Sequence, residues 1–210
     1  MNTRGILARI YLALSSVALG FSLFFYSSLS SAVTVSIVPA EPSVFVGDTI
    51  SLQAVISDLG DGVAPSLSAY DFTISYSTPL AGFQTITFGD PAQNQLNLLG
   101  YGSINYFDDS TSGTLLFGEV SLDDPDTLNN QQLPGFVLAT FQFSTSSLGN
   151  ASFVIQDATL VDANGDLITI DTLNDTAMVG VTSVPEPNPS VLFLSGIVLL
   201  TVIARSRISV

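Results

Sequence analysis

Apolar and polar residues alternate with a period of two through much of the middle of the chain. The pattern is clearest at residues 70–76, where Phe72 and Ile74 alternate with polar neighbours such as Asp71. Such alternation is typical of a half-buried β-strand, with the apolar side chains turned inward and the polar ones outward. Counted along the chain, the pattern predicts nine short strands, at residues 33–38, 49–54, 70–76, 84–88, 114–122, 136–143, 151–156, 167–170 and 177–181.

Turn sequences rich in glycine and aspartate separate these strands, for example at residues 60–62 and 89–91. Residues 125–132 are the one helical stretch that the pattern predicts between the strands, with Asp124 as the N-cap before Pro125. Many short strands without a long amphipathic helix predict an all-β fold, a nine-stranded antiparallel jelly-roll sandwich.

The beginning of the chain has the three parts of a secretory signal peptide. Arg4 and Arg9 precede an apolar run at residues 10–29, and Ser30-Ser31-Ala32 follows it. We therefore predict a signal helix over residues 1–32 with cleavage after Ala32, so that the remainder is exported. Because the apolar run is long for a signal peptide, an uncleaved membrane anchor stays an alternative.

The end of the chain is set apart by prolines and charge. Three prolines within residues 184–189 break regular structure, and residues 191–204 carry no charge before Arg205 and Arg207. This pattern predicts a short transmembrane helix at residues 190–204, with the arginines on the cytoplasmic side. A C-terminal core helix is the alternative, but core helices are amphipathic and this segment is apolar all round.

The tail resembles the PEP-CTERM sorting signal of bacterial exported proteins. The resemblance rests on Pro185, Glu186 and Pro187, on the apolar helix after them, and on Arg205 and Arg207. It implies that residues 183–210 are a sorting tail recognised by an exosortase, a membrane cysteine protease-transpeptidase that removes the residues beyond about Pro187. It also implies a protein that is first membrane-anchored and then lies at the cell surface or outside, in a Gram-negative or cyanobacterial envelope.

Residues 33–182 resemble the cohesin domain, the jelly-roll module of cellulosomal scaffolds. The residues that carry the resemblance lie at 44–49, 70–76, 115–119 and 135–140. The resemblance implies a non-catalytic module that binds dockerin domains, and it implies kinship with carbohydrate-binding modules of the same fold. A carbohydrate-binding module for cell-surface exopolysaccharide or for polysaccharide breakdown machinery is therefore the alternative function.

The same resemblance implies three partner-binding residues. In the family, the sheet that faces the dockerin carries an aspartate matched here by Asp71, and a leucine and a glutamate matched by Leu116 and Glu119. Leu116 and Glu119 have opposite parity on one strand, so they share a face only if Gly118 marks a β-bulge.

Charge and composition exclude several classes of function. The chain has 210 residues with no cysteine or histidine, and its four basic residues are Arg4, Arg9, Arg205 and Arg207. Histidine-dependent catalysis and zinc sites built from cysteine or histidine are therefore excluded. Because Glu186 alone of the 18 acidic residues lies outside residues 33–184, that segment has a formal charge of −17 and should repel nucleic acid.

Two acidic segments could bind calcium, since oxygen is the one ligand type available in quantity. Asp123, Asp124 and Asp126 either form a weak Ca²⁺ site or act as caps and solvated charges. Residues 162–166 are similar to the start of a calcium loop, but a hairpin with a type I′ turn at Asn164-Gly165 is favoured.

Two further functions were weighed against recognition of a protein. Catalysis by a glycosidase would need two carboxylates about 5–10 Å apart, which sequence spacing does not establish. Binding to sugar would need exposed aromatic residues, and the aromatic residues Tyr101, Tyr106 and Phe107 are assigned to the core in preference to a sugar-stacking surface.

Overall fold

The structure is a computed structural model that describes residues 32–90 and 93–185, together with Phe193. Within this part of the chain lie eleven strands and one helix, α1 (Pro125–Gln131). The strands are β1 Thr34–Pro39, β2 Ser43–Phe45, β3 Thr49–Ser57, β4 Leu67–Tyr76, β5 Ala81–Phe88, β6 Ser103–Asp108, β7 Thr114–Ser121, β8 Phe136–Thr145, β9 Gly149–Asp162, β10 Thr172–Asn174 and β11 Thr176–Thr182.

The strands form two sheets that pack face to face. One sheet has the order β10-β1-β3-β8-β5, and the other has the order β2-β11-β9-β4-β7-β6. Most neighbouring strands are antiparallel, but β1 pairs with β10 and β2 pairs with β11 in parallel. The predicted β-sandwich is confirmed, whereas the prediction of a purely antiparallel sandwich with nine strands is wrong.

Eight of the nine predicted strands are present, and three others had no signal in the alternation. Strands β2 and β10 have three residues each, which is too short to show a period. Strand β6 carries apolar residues on both faces, so its sequence does not alternate in polarity throughout. Residues 167–170 do not form a strand, and only Leu167 makes an isolated bridge, to Val161.

Phenylalanine rings from both sheets fill the core. Phe117 of β7 meets Phe141 of β8 across the sandwich, with ring centroids 4.8 Å apart and the rings edge to face. Phe153 of β9 meets Phe143 of β8 at the same separation. All four side chains are fully buried. Aromatic pairs of this geometry contribute beyond the area they bury, so these contacts bind the two sheets together.

Helix α1 begins as the sequence predicts. Asp124 has an extended backbone, and its carboxylate accepts a hydrogen bond from the Thr127 amide nitrogen at 2.9 Å. Pro125 is the first residue of the helix. The side chain satisfies one of the amides that a helix start leaves without a partner. Hydrogen bonding to Thr127 also holds the pKa of Asp124 below its usual value.

The turn at residues 162–166 differs from the type I′ turn expected there. Asn164 has a negative φ, which a type I′ turn does not allow, and only Gly165 reaches a positive φ, of 90°. The Asp162 carboxylate organises the loop instead, since it accepts hydrogen bonds from the amides of Asn164 and Asp166.

The predictions for the two ends fall almost entirely outside the described residues. The signal helix, the apolar helix at 190–204 apart from Phe193, and the sorting residues from Glu186 onward lie there, whereas Ala32 and Pro185 are described in non-helical backbone. Among the residues that the structure describes, no helix is long and apolar enough to cross a membrane.

The contact between Phe117 and Phe141 gives a prediction about stability. Phe117→Ala should lower the free energy of unfolding of the full-length chain by about 3–5 kcal/mol, because it opens a cavity where the two sheets meet. Urea denaturation followed by circular dichroism measures the loss. The matched control is Phe45→Ala, which removes a ring that is 41% exposed and should cost clearly less. Equal losses in the two variants would contradict this account of the core.

Candidate functional site

The outer face of the six-stranded sheet brings together residues from β9, β4, β7 and β6. Strand pairing aligns Thr159, Asp71, Gly118 and Tyr106 in one row across the four strands. The neighbouring row contains Leu116, which lies between Thr73 and Asp108. Two of the three predicted partner-binding residues, Asp71 and Leu116, therefore share this face.

Asp71 is hydrogen-bonded to Tyr106, a residue that the sequence pattern predicts in the core. The Tyr106 hydroxyl crosses Gly118 and donates a hydrogen bond to the Asp71 carboxylate. This bond, together with partial burial and the charge of Asp71, raises the pKa of Tyr106 to about 12. Tyr106 and Asp71 thus form one exposed polar unit at the centre of the face.

Glycine at position 118 makes that unit fit. A Cβ atom there would lie 2.6 Å from the Tyr70 carbonyl oxygen and 2.7 Å from the Tyr106 hydroxyl. Both distances are shorter than real contacts, so any larger residue must displace Tyr106 or the backbone of β4. Tyr106 can therefore lie over β7 in this position only because residue 118 has no side chain.

Glu119 does not join Asp71 and Leu116. Strands β4 and β7 pair in continuous register, with no bulge at Gly118, so Glu119 points inward. Its side chain is 0% exposed and contacts Tyr70 and Ser103. A carboxyl that solvent does not reach cannot meet a docked partner in this arrangement, and the prediction that placed Glu119 on the binding face is corrected on this geometric ground.

An apolar row crosses the same face beside the Asp71 row. Pairing aligns Leu167, Val161, Ala69, Val120 and Ile104 across the sheet. Val120 is 42% exposed and Ile104 is 59% exposed. At the usual strand spacing of roughly 4.8 Å, five aligned positions extend over about 19 Å. We call these five residues the outer apolar row; the alternation along single strands did not reveal them as a set.

Acidic residues lie on one side of the outer apolar row, in the two rows next to it. Asp71, Asp108 and Asp157 belong to the strands of this sheet, and the described residues include no lysine, arginine or histidine to neutralise them. By contrast, the strands of the five-stranded sheet contain no charged residue at all. Among the described strands, the charged residues thus all belong to the six-stranded sheet.

The acidic residues that were weighed as a calcium site have separate structural tasks. The Asp123 carboxylate accepts hydrogen bonds from the amides of Leu98 and Leu99, while Asp124 caps α1. Within residues 32–90 and 93–185 there is no group of three or more acidic side chains placed to hold a metal ion. Asp123, Asp124 and Asp126 are therefore not brought together as ligands.

Two aromatic residues that were assigned to the core are exposed. Tyr101 is 71% exposed in the loop before β6, and Tyr106 lies on the outer face. Phe107, the neighbour of Tyr106, turns the opposite way and contacts Phe83 with ring centroids 5.8 Å apart. Phe107 alone of the three supports the assignment to the core, and even its ring is half exposed.

Comparison with solved structures gives the class of this fold. A type II cohesin domain from the cellulosome of Acetivibrio cellulolyticus matches with a TM-score of 0.57 at 13% identity, over 70% of this chain and 95% of the other. The type I cohesin–dockerin complex from Clostridium thermocellum matches with a TM-score of 0.53 at 14% identity, over 70% and 99%. A non-cellulosomal cohesin from the archaeon Archaeoglobus fulgidus matches with a TM-score of 0.51 at 13% identity, over 71% and 92%.

The sandwich therefore has the fold of cohesin domains, as the resemblance in the sequence implies. No protein-family model matches the sequence, and no curated protein matches it either. At identities this low the likeness defines the fold, and the function has to be argued from the face just described.

Gly118 gives a test of the geometry of this face. Gly118→Ala should lower the free energy of unfolding by about 1–3 kcal/mol, because the added methyl group collides with Tyr70 and Tyr106. Thermal and urea denaturation measure the loss. Gly180→Ala is the matched control in the same sheet, since a Cβ atom there would meet its nearest neighbour at 3.6 Å. If Gly118→Ala were as stable as the control, the close packing of Tyr106 over β7 would be refuted.

Proposed function

We propose that this protein is an exported, non-catalytic binding module that recognises a dockerin-like protein partner through the outer face of its six-stranded sheet. The observation that carries the proposal is the outer apolar row, an exposed hydrophobic strip with acidic residues on one side of it. Contiguous apolar residues with a polar rim are typical of protein interaction sites. The cohesin fold supports the same function, because one solved structure of that fold is a complex with a dockerin.

The chemistry of the face defines the kind of partner that it fits. A helix rises about 1.5 Å per residue, so roughly 13 residues cover the length of about 19 Å across the sheet. We expect the partner to present aliphatic side chains to Val120 and Ile104. Lysine or arginine beside them would meet the acidic border and accelerate association.

Asp71 and Leu116 contribute in different ways. Asp71, already bonded to Tyr106, would accept charge-assisted hydrogen bonds from a basic residue of the partner. Leu116 adds apolar surface in the row next to it. Since Tyr106 holds Asp71, we assign Tyr106 to the same contact.

A carbohydrate-binding module is the second candidate, and one observation favours it. Tyr101 and Tyr106 are exposed near the same edge of the sheet, where aromatic rings could stack on sugars. The acidic border suits a neutral polysaccharide better than an acidic one. Retention of the protein by an immobilised neutral polysaccharide, lost in Tyr101→Ala, would favour this candidate over a protein partner.

The proposal extends to export and anchoring. The signal-like residues 1–32 and the tail at 183–210 suggest export, membrane attachment through residues 190–204 and processing by an exosortase at the sequence Pro185-Glu186-Pro187. The chain would then be a substrate of that membrane enzyme. After processing, the module would lie at the cell surface or in the medium.

The outer apolar row gives a direct test of partner recognition. Val120→Asp should weaken capture of a dockerin module at least tenfold, because it places a charge within the apolar contact. Titration calorimetry against a panel of recombinant dockerin modules measures the affinity.

The opposite sheet offers a matched control. Val38→Asp introduces the same charge at a valine that is 44% exposed, on the outer face of the five-stranded sheet. It should leave capture unchanged. If only Val38→Asp lost capture, the binding site would lie on the five-stranded sheet. If both variants captured the dockerin equally well, the proposal that the six-stranded sheet binds it would be wrong.

Processing of the tail is tested separately. In cells that contain an exosortase, the mature protein should lack the residues beyond about Pro187, and intact-mass spectrometry of native material measures this. Deletion of the exosortase should restore a species that ends at Val210. A mature protein that still ends at Val210 in the presence of the enzyme would contradict the assignment of the tail.

A further inference from the structure

Glu119 is a buried carboxyl group that the proposed binding function does not use. It lies on the inner side of β7, directly opposite Tyr70 of β4, and it is 0% exposed. The titratable group that faces it is Tyr70; Ser103 from β6 and Asn94 from the preceding loop are its other hydrogen-bonding partners, and both are neutral. No basic residue occurs within residues 32–185 to balance a charge there.

The Tyr70 hydroxyl has two oxygen neighbours but only one proton to donate. The Tyr70 hydroxyl lies 2.9 Å from the carbonyl oxygen of Leu138 and 3.2 Å from Oε2 of Glu119. A carbonyl oxygen can only accept, and a tyrosine hydroxyl has one proton to give. If that proton goes to Leu138, the nearer of the two oxygens, the contact with Glu119 needs a second proton.

Only the carboxyl group of Glu119 can supply that second proton. A protonated Oε2 would donate to the Tyr70 hydroxyl, while Oε1 accepts from the Ser103 hydroxyl. With an ionised carboxylate, two lone pairs would face each other across a buried contact, which is costly in an interior of low dielectric. No buried side-chain nitrogen or oxygen among the described residues lacks a hydrogen bond, so the arrangement is complete.

We propose that Glu119 is held as a neutral carboxylic acid at neutral pH and donates its proton to Tyr70, which in turn donates to the Leu138 carbonyl. Ser103, Glu119 and Tyr70 belong to the six-stranded sheet, whereas Leu138 belongs to the other. The proton therefore completes a hydrogen-bonded relay that joins the two sheets. Ionisation of Glu119 would draw the Tyr70 proton away from Leu138 and break that link.

The electrostatics agree with this assignment. Burial raises the pKa of Glu119 and outweighs its hydrogen bonds with Ser103 and Asn94, which lower it; a Tyr70 hydroxyl that donated to the carboxylate would lower it as well. The pKa of Tyr70 is raised as well, first by burial and then by its closeness to Glu119. Tyr70 therefore keeps its own proton throughout the neutral range.

The difference in proton binding between the folded and unfolded states determines whether stability rises or falls with pH. An unfolded glutamate ionises near pH 4.3, whereas folded Glu119 keeps its proton to a higher pH. Between these two pKa values the folded state binds one proton more than the unfolded state, so stability falls as pH rises. The stabilisation is fully present below the unfolded pKa and is lost as pH rises through the folded pKa.

The chain allows a direct measurement, because it contains only three glutamates, Glu41, Glu119 and Glu186. Full-length protein labelled with ¹³C at the glutamate carboxyl carbons, in detergent, should give three signals in a pH titration. One of the three signals should stay at the protonated position at pH 7, and Glu119→Gln should remove that signal. Three signals that all titrate near the ordinary value would overturn the proposal.

Tyr70→Phe tests the direction of the hydrogen bond. If Glu119 donates to Tyr70, the hydroxyl stabilises the neutral acid, and its loss should lower the titration midpoint of Glu119. If Tyr70 donates to a carboxylate instead, the midpoint should rise, and the proposed relay would be wrong. The wild-type titration decides the protonation state even if this variant does not fold.

Stability gives an independent readout. Above the unfolded pKa, Glu119→Gln should remove a dependence on pH that approaches a tenfold change in the unfolding constant per pH unit. Asp61→Asn, at an exposed loop residue, removes an acidic group elsewhere and should keep that dependence. Identical pH profiles for Glu119→Gln and wild type would overturn the proposal.

Discussion

Residues 32–185 contain no lysine, arginine or histidine, so every carboxylate in this sandwich must be stabilised without a side-chain cation. Neutral donors do this throughout the structure. The Asp124 carboxylate accepts a hydrogen bond from the amide of Thr127, and the Asp123 carboxylate accepts two from amides in the loop before β6. The Asp162 carboxylate accepts a hydrogen bond from the Asn164 amide in its own turn. Backbone amides are strong donors to a carboxylate, and each such bond also fixes the chain locally. The acidic side chains thus order loops and caps instead of pairing with bases.

The same constraint sorts the acidic residues between surface and interior. Carboxylates at the surface are exposed to water, and Asp71 on the proposed binding face is further held by the hydroxyl of Tyr106. Glu119 lies in the interior without a cation or a backbone amide as donor, and keeping a proton lowers its energy there. Asp71 and Glu119 show the two outcomes on strands that pair with each other.

Period-two alternation predicted the faces of the strands well where both faces differ in polarity. It placed Phe72 inward and Asp71 outward, and the parity of β7 already separated Leu116 from Glu119. The resemblance to cohesins instead grouped Leu116 with Glu119, and the continuous register of β4 and β7 shows that parity was the better guide. Parallel pairing could not be predicted, because it joins strands more than a hundred residues apart and leaves no local signal. The outer apolar row was missed for the same reason, since its members come from different strands.

The pairing of the last strand has a mechanical consequence. Strand β11 lies between β9 and the short β2. The carbonyl oxygen of its final residue, Thr182, accepts a hydrogen bond from the Val46 amide nitrogen at 2.9 Å. A pull along the chain beyond Thr182 acts along β11, so it loads the hydrogen bonds to both neighbours in shear. Those bonds would have to break together and not one after another. A tethered module would therefore transmit tension to its attachment point through the sheet that contains the proposed binding face.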